Sequence, residues 1–340
     1  MTVGPAAGRQ MDVCNGDADG LCAVLQWRLQ TPAPATLVTG LKRDIALLDR
    51  VQAGPGDEVL VCDVSLQRNR VALLRLLAAG ARVRYFDHHA PPDVPDHPNL
   101  ETHIDLDSQT CTSLLMDRHL GGAHRSWALV GAYGDNLTGV ADALAVQTGM
   151  TNQDCGRLRM LGEAINYNAY GEEESDVFMA PARLYETLLR YRDPLDLLQH
   201  ETIAQQLDAL RHDDLRRAAD LPPHWQNNRA SATLLPDAPW SRRVIGCLAN
   251  ELARAEPQKA HAVLKPVRGD AYVVSVRAPL SAAGGARELC RRFGGAGRAG
   301  AAGIDRLPAQ DLDDFLETFG VTCWGESSPA ASTDPAGDLP

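Results

Sequence analysis

Positions 12 to 21 read DVCNGDADGL, a short apolar run followed by two carboxylates, Asp17 and Asp19, on a glycine-rich turn. Like charges held that close repel, so the spacing implies something positive between them. Two further apolar runs end in chemically active groups: VLVCDVS carries Asp63, and VRYFDHH carries Asp87, His88 and His89. Hard oxygen donors with one or two imidazoles suit Mn²⁺, Mg²⁺ or Co²⁺ better than a thiolate-seeking metal. Several carboxylates in one place need more than one cation, and two metals about 3.5–4 Å apart sharing a carboxylate form the usual clamp for phosphoester hydrolysis. Taken singly, D-x-D-G reads as a turn and DHH as a helix N-cap with surface histidines. Their recurrence at successive strand ends favours the metal centre.

For these residues to meet, the elements before them must lie side by side. Strands are expected at Met11–Asn15, Ala35–Thr39, Glu58–Asp63, Ala81–Phe86 and Leu100–Ile104, and helical spacing of apolar residues covers Gly20–Leu29, Asp44–Val51, Arg68–Ala79, Ser108–Leu120 and Trp127–Tyr133. Such alternation implies βαβ units, an α/β fold and a doubly wound, mainly parallel sheet. Ligands of such sheets bind beyond the carboxyl ends of the strands, where the acidic and imidazole residues fall. The expected domains are a catalytic domain over 1–150, a helical connector over 151–224, a smaller α/β domain over 225–325 and a disordered Pro/Ala/Ser-rich tail over 326–340. In the connector, LYETLLRYRDPLDLLQ and HETIAQQLDALRHDDLRRAADL read as helices broken near Pro194. The run LGEAINYNAYG reads as a helix end capped by asparagine and packed by tyrosine, with a base-stacking surface as the alternative.

A chain of 340 residues suits two domains, and 44% apolar with 23% charged residues is the composition of a soluble globular protein. No stretch approaches the roughly 20 apolar residues that span a bilayer. The opening MTVGPAAGRQ has no hydrophobic signal core, and the eight cysteines include no C-x-x-C pair. Reduced cysteines and a cytoplasmic location are the expectation. The net charge of −11 argues against a protein that coats long duplex DNA. Its distribution is uneven: positions 225–325 hold 13 Lys/Arg against 10 Asp/Glu, a net of +3, leaving −14 elsewhere.

The basic region expects strands at Ala262–Val267 and Ala271–Arg277 and helices at Ala282–Phe293 and Ala309–Phe319. Between the helices, GAGRAG at Gly295–Gly300 matches G-x-G-x-x-G, yet it closes a helix and leads into AAGI, the reverse of the dinucleotide-binding context. Backbone N–H groups of a glycine turn can still bind phosphate. Arg291, Arg292 and Arg298 adjoin it and Arg277 ends VVSVR; the plainer alternative is a turn beside a solvated arginine face.

NGDADG, the aspartate of VCDVS, FDHH and the aspartate of GAYGDN resemble the four successive motifs of the DHH phosphoesterase family, which includes RecJ-type exonucleases, nano-RNases and cyclic-dinucleotide phosphodiesterases. FGGAGRAGAAG, at 293–303, resembles the glycine-rich motif of that family's associated C-terminal domain, so the likeness runs from about residue 11 to 320. The resemblance implies two divalent ions, with manganese expected and magnesium or cobalt as alternatives. One would be held by Asn15, Asp17 and Asp63, and the other by Asp19, Asp63, His88 and Asp135, with Asp63 bridging. It implies in-line attack on phosphorus by a metal-bridging hydroxide, with Asp87 orienting His88 and His89 facing the phosphoryl group. Arg277, Gly294, Gly295, Gly297 and Arg298 would hold a substrate phosphate. Two positions depart from the family pattern: Asn15 stands where His or Asp is common, and Arg298 where histidine is usual. The expected substrate is a nucleotide or short single-stranded oligonucleotide, since an extended cationic groove is lacking. A 3′-phosphonucleotide phosphatase of the pAp type and a catalytically inactive nucleotide- or DNA-binding protein are the alternatives, and a homodimer is left open.

Overall fold

The computed structural model describes residues 8–89 and 93–325. The tail over 326–340, expected to be disordered, lies outside the described residues. The chain divides into two compact units, with the division after Asp214.

In the first unit β1 (Gln10–Cys14), β2 (Ala35–Val38), β3 (Glu58–Cys62), β4 (Arg82–Asp87) and β5 (Leu100–Ile104) form an all-parallel sheet in the order β2-β1-β3-β4-β5. Its helices are α1 (Ala18–Gln30), α2 (Leu66–Ala78), α3 (Thr112–His119), α4 (Arg125–Gly134), α5 (Thr138–Gln147), α6 (Asn152–Asn168), α7 (Pro181–Leu188), α8 (Pro194–His200) and α9 (Ile203–Ala219), the last running across the division. The central strands are apolar at nearly every position because both sheet faces are covered. Their side chains sort by parity. Met11, Val13, Val59, Val61, Val83 and Tyr85 enter one core with α2, while Cys14, Leu60, Cys62 and Phe86 enter the other with α1, α3, α4 and α6. The result is the doubly wound α/β arrangement that the alternation of strands and helices implied.

The helix expected over Asp44–Val51 is only a 3-10 turn, Leu47–Arg50. Asn69 of α2 accounts for the difference. Its Oδ1 accepts from Leu48 N at 3.1 Å and its Nδ2 donates to the Ile45 carbonyl at 2.6 Å, so the chain bends to place both Leu47 and Leu48 in the core. Pro194 opens α8 at its first position, behind an Asp193 cap, which is where the break in the helical pattern falls. Although the middle segment is rich in charge, Leu158, Leu161 and Ile165 of α6, Leu184 and Leu188 of α7 and Leu197 of α8 all pack into the core that holds α1 and α4.

Two contacts fix the places of α1 and α4. Arg28 of α1 donates from Nε and Nη2 to the Asp12 carboxylate, both at 2.6 Å, and both side chains are buried. On α4, a Cβ at Gly131 would lie 2.2 Å from Ser113 Oγ, and one at Gly134 would lie 2.4 Å from Ala18 Cβ. Glycine at these positions lets α4 press against α3 and α1.

The second unit holds β6 (Trp225–Gln226), β7 (Ala230–Leu234), β8 (Ala260–Val267), β9 (Ala271–Arg277), β10 (Ala296–Gly297) and β11 (Ala301–Pro308), in the order β10-β11-β9-β8-β7-β6. Only β7 and β8 pair in parallel, joined through α10 (Pro239–Ala255). The remaining helices are α11 (Ala286–Arg292) and α12 (Leu312–Val321). α11 starts later than its apolar spacing suggests because Gly285, at φ 99°, occupies its N-cap.

Asp12→Ala would strand a buried guanidinium, and we expect a loss of about 3–5 kcal/mol in urea unfolding. Replacing Asp12 and Arg28 together by leucine should recover most of it. A double variant as unstable as the single one would mean the pair does more than satisfy itself.

Candidate metal centre

Cys14, Cys62 and Phe86 lie in one register row across β1, β3 and β4. Asn15, Asp63 and Asp87 follow directly, so three chain segments distant in sequence deliver their polar residues to one edge. After β1 the chain turns sharply: a Cβ at Gly16 would lie 2.0 Å from the Gly40 carbonyl oxygen, so only glycine lets the two loops pass. Asp17 then caps α1, its Oδ1 accepting from Gly20 N at 3.1 Å. Asp63 has φ 56°, in the left-handed region that a non-glycine residue occupies at a cost, and its N–H donates to the Phe86 carbonyl at 3.0 Å.

Asp19 and His88 approach Asp63 from either side. Both Asp19 oxygens accept backbone N–H groups, from Thr112 and Ser113, each at 2.8 Å. This capping is why α3 begins at Thr112 and not at Ser108. His88 Nδ1 lies 3.1 Å from the Thr110 carbonyl, which accepts from it and leaves Nε2 directed at Asp63 Oδ1 (3.3 Å) and Asp19 Oδ2 (3.9 Å). The expectation that Asp87 orients the His88 ring needs correction. Asp87 Oδ1 accepts instead from the His88 backbone N–H at 2.9 Å and from His89 Nδ1 at 2.7 Å, so Asp87 fixes the His89 ring and the Thr110 carbonyl fixes that of His88. Asp135 ends α4, half-buried, and its charge acts on both His88 and Lys42.

The buried charges of the group act on one another. Burial and the neighbouring charges of Asp17 and Asp19 push the Asp63 carboxyl well above its ordinary range. Burial opposes charge on His88, but Asp63, Asp135 and Asp19 outweigh it and push the imidazole up to about 10. Asp63, His88 and His89 offer ligand atoms all within 4.8 Å of one another, with Asp19 alongside. The oxygen and imidazole donors around Asp63 and His88 therefore fit a hard divalent ion.

The other proposed donors are differently placed. Asn15 Oδ1 is buried without a hydrogen-bond partner. Asp17 Oδ2 is bound to Lys42 Nζ at 2.5 Å. Burial alone would raise the Asp17 carboxyl, but Lys42 together with hydrogen bonds holds it below its usual value. Lys42 follows the end of β2, and no acidic pattern marks it; a survey of every strand end for charge of either sign would have found it. The LGEAINYNAYG run closes α6: Tyr167 is buried with its hydroxyl donating to Asp214 at 2.5 Å, and the Asn168 amide joins both backbone polar groups of Met179. Arg277, Gly294, Gly295, Gly297 and Arg298 belong to the second unit. There the Arg277 guanidinium donates to Asn250, Ser275 and the Val276 carbonyl, and Gly297 lies in β10, the strand that precedes Arg298.

No family model and no curated protein matches the chain. Solved structures do match it. A DHH domain described as a member of a family of ribosomal proteins aligns over 92% of this chain and 86% of its own, at TM-score 0.64 and 14% identity. RecJ from Thermus thermophilus in complex with Mn²⁺ aligns over 92% of this chain at TM-score 0.58 and 19% identity, and the chain spans about half (51%) of that protein's length. A pGpG-specific phosphodiesterase from Vibrio cholerae aligns over 92% of this chain and 100% of its own, at TM-score 0.51 and 15% identity. The chain has the fold of DHH-domain proteins.

Metal at His88 Nε2 must displace the proton the ring holds. That proton is present below about pH 10. Mn²⁺ affinity should therefore rise between pH 6 and 9, by about tenfold per unit for each proton released. Calorimetry in buffers of different ionisation enthalpy measures the release; a flat profile would mean that His88 holds no proton to displace in this range.

Proposed function

We propose that the chain is a metal-dependent phosphoesterase that hydrolyses phosphodiester bonds in dinucleotides or short oligonucleotides. The observation that carries this reading is the convergence of Asp19, Asp63, His88 and His89 beyond the carboxyl ends of adjacent parallel strands, on a fold shared with RecJ and a pGpG-specific phosphodiesterase. Asp19, Asp63 and His88, with Asp135 nearby, would hold the divalent ion. When bound, such an ion supplies Lewis acidity at the phosphoryl oxygens and lowers the pKa of a water.

The chain's own residues do the rest. His89 has its Nδ1 fixed by Asp87 and its side chain 47% exposed. Burial disfavours charge on that ring, but the Asp87 carboxylate prevails and raises its pKa. A protonated His89 donates from Nε2 to a phosphoryl oxygen, where charge builds as the bond to the leaving group breaks. The acidic net charge favours short substrates over long duplexes. The glycine turn and arginines of the second unit are proposed as phosphate contacts. All eight cysteines are unpaired. Among the described residues no helix is long and apolar enough to cross a membrane.

Purified protein with Mn²⁺, Mg²⁺ or Co²⁺, screened against pAp, linear and cyclic dinucleotides and single strands of increasing length, tests the proposal. We expect turnover only with added metal, fastest on the shortest diesters. Release of inorganic phosphate from pAp alone would favour a phosphatase, and binding without turnover a non-catalytic protein. Asp63→Ala should lower the rate at least ~10²-fold, since a bound metal contributes several kcal/mol. Wild-type turnover in that variant would sink the assignment.

A further inference from the structure

We infer that the Lys42 ammonium takes the position that the family resemblance gives to a first metal ion, so that this chain binds one divalent cation where two were expected. The inference rests on the metal centre proposed above.

The first site would have Asn15, Asp17 and Asp63 as donors. Of these, Asp17 already has both oxygens in hydrogen bonds, Oδ1 with Gly20 N at 3.1 Å and Oδ2 with Lys42 Nζ at 2.5 Å, the latter a full positive charge. Asn15 is a neutral amide, and its buried Oδ1 is the one feature of the set that would welcome a cation. Asp63 already faces His88 and is common to both sites. One amide oxygen and one shared carboxylate make a poor seat for a dication beside an ammonium group.

Lys42 does not reach Asp17 as a wandering surface side chain. Its backbone N–H donates to the Ala169 carbonyl at 3.0 Å, and the loop before it is closed by Asp44, whose Oδ2 accepts from Leu41 N at 2.9 Å. A Cβ at Gly40 would lie 2.3 Å from that same Asp44 oxygen, so the loop is shaped around the contact. The ammonium also donates to Asn166 Oδ1 at 3.3 Å and lies 5.5 Å from the Tyr170 ring centroid. A carboxylate, an amide oxygen and an aromatic face thus surround it, the amide supplied by α6 and the ring by the residues just past its end. The neutral donor at Asn15 and the cation at Lys42 fit together: a position that needs no metal needs no charged ligand.

The test is metal stoichiometry, read independently of activity. The intact protein is dialysed against Mn²⁺, bound metal is counted per chain, and the electron spin resonance spectrum is recorded. We expect one Mn²⁺ per chain and the six-line signal of an isolated ion. Lys42→Met, which keeps the stem and removes the charge, should bind two and show an exchange-coupled pair, whereas Lys42→Arg should stay at one. Two coupled ions in the wild type would overturn the role of Lys42 and leave the metal centre standing. No bound metal in the folded wild type would overturn the centre itself and this inference with it. A folded Lys42→Met that still binds a single ion would also overturn it; should that variant not fold, the wild-type count decides alone.

Discussion

The concentration of negative charge at one edge of the sheet is the constraint from which the rest of the first unit follows. Asp17, Asp19 and Asp63 are all buried, and no fold keeps three carboxylates together in a low-dielectric setting without compensation. Each is answered separately. Lys42 meets Asp17, two amides at the start of α3 meet Asp19, and a histidine held from behind by a carbonyl meets Asp63. Every answering group comes from a different element, which explains why helices remote in sequence must be pressed so closely onto the sheet.

That pressure is visible in the helices. α4 replaces side chains by hydrogens where it crosses α1 and α3, and a Cβ at Gly162 of α6 would lie 2.2 Å from the Val130 carbonyl. Close backbone approach carries α6 to the site, and with it Asn166, Ala169 and Tyr170 around Lys42. The middle segment is therefore part of the wall of the centre.

What could be read in the sequence was local. Asp17, Asp19, Asp63 and the Asp-His-His run sit directly after apolar strands, so their common edge follows from parallel alternation alone. The five strands of the first unit were legible to within a residue for the same reason. Contacts made by backbone atoms were not: nothing in the letters says that Thr110 lends its carbonyl to His88, or that Asp19 starts a helix 93 residues later. Lys42 stayed hidden because its partner Asp17 is 25 residues away and its loop carries no pattern. Among the helices, α5 fully buries only Ala141 and Ala145, with Val140 and Leu144 packed beside them in a short apolar stripe that periodicity could have found. The same holds for α10, since Val244, Ile245, Leu248 and Ala249 lie on one side and are within reach of a periodicity argument.

Asp19 serves two structures at once, since its carboxylate, with Oδ2 toward His88, also receives the first two amides of α3. A carboxylate in that position couples ligand geometry to the fraying of a helix end. Whatever draws it toward an ion shortens or lengthens its grip on those amides, and their exchange with solvent deuterium changes accordingly. Thr112 and Ser113 are in this sense a built-in gauge: two buried amides whose hydrogen bonds end on a carboxylate of the candidate centre.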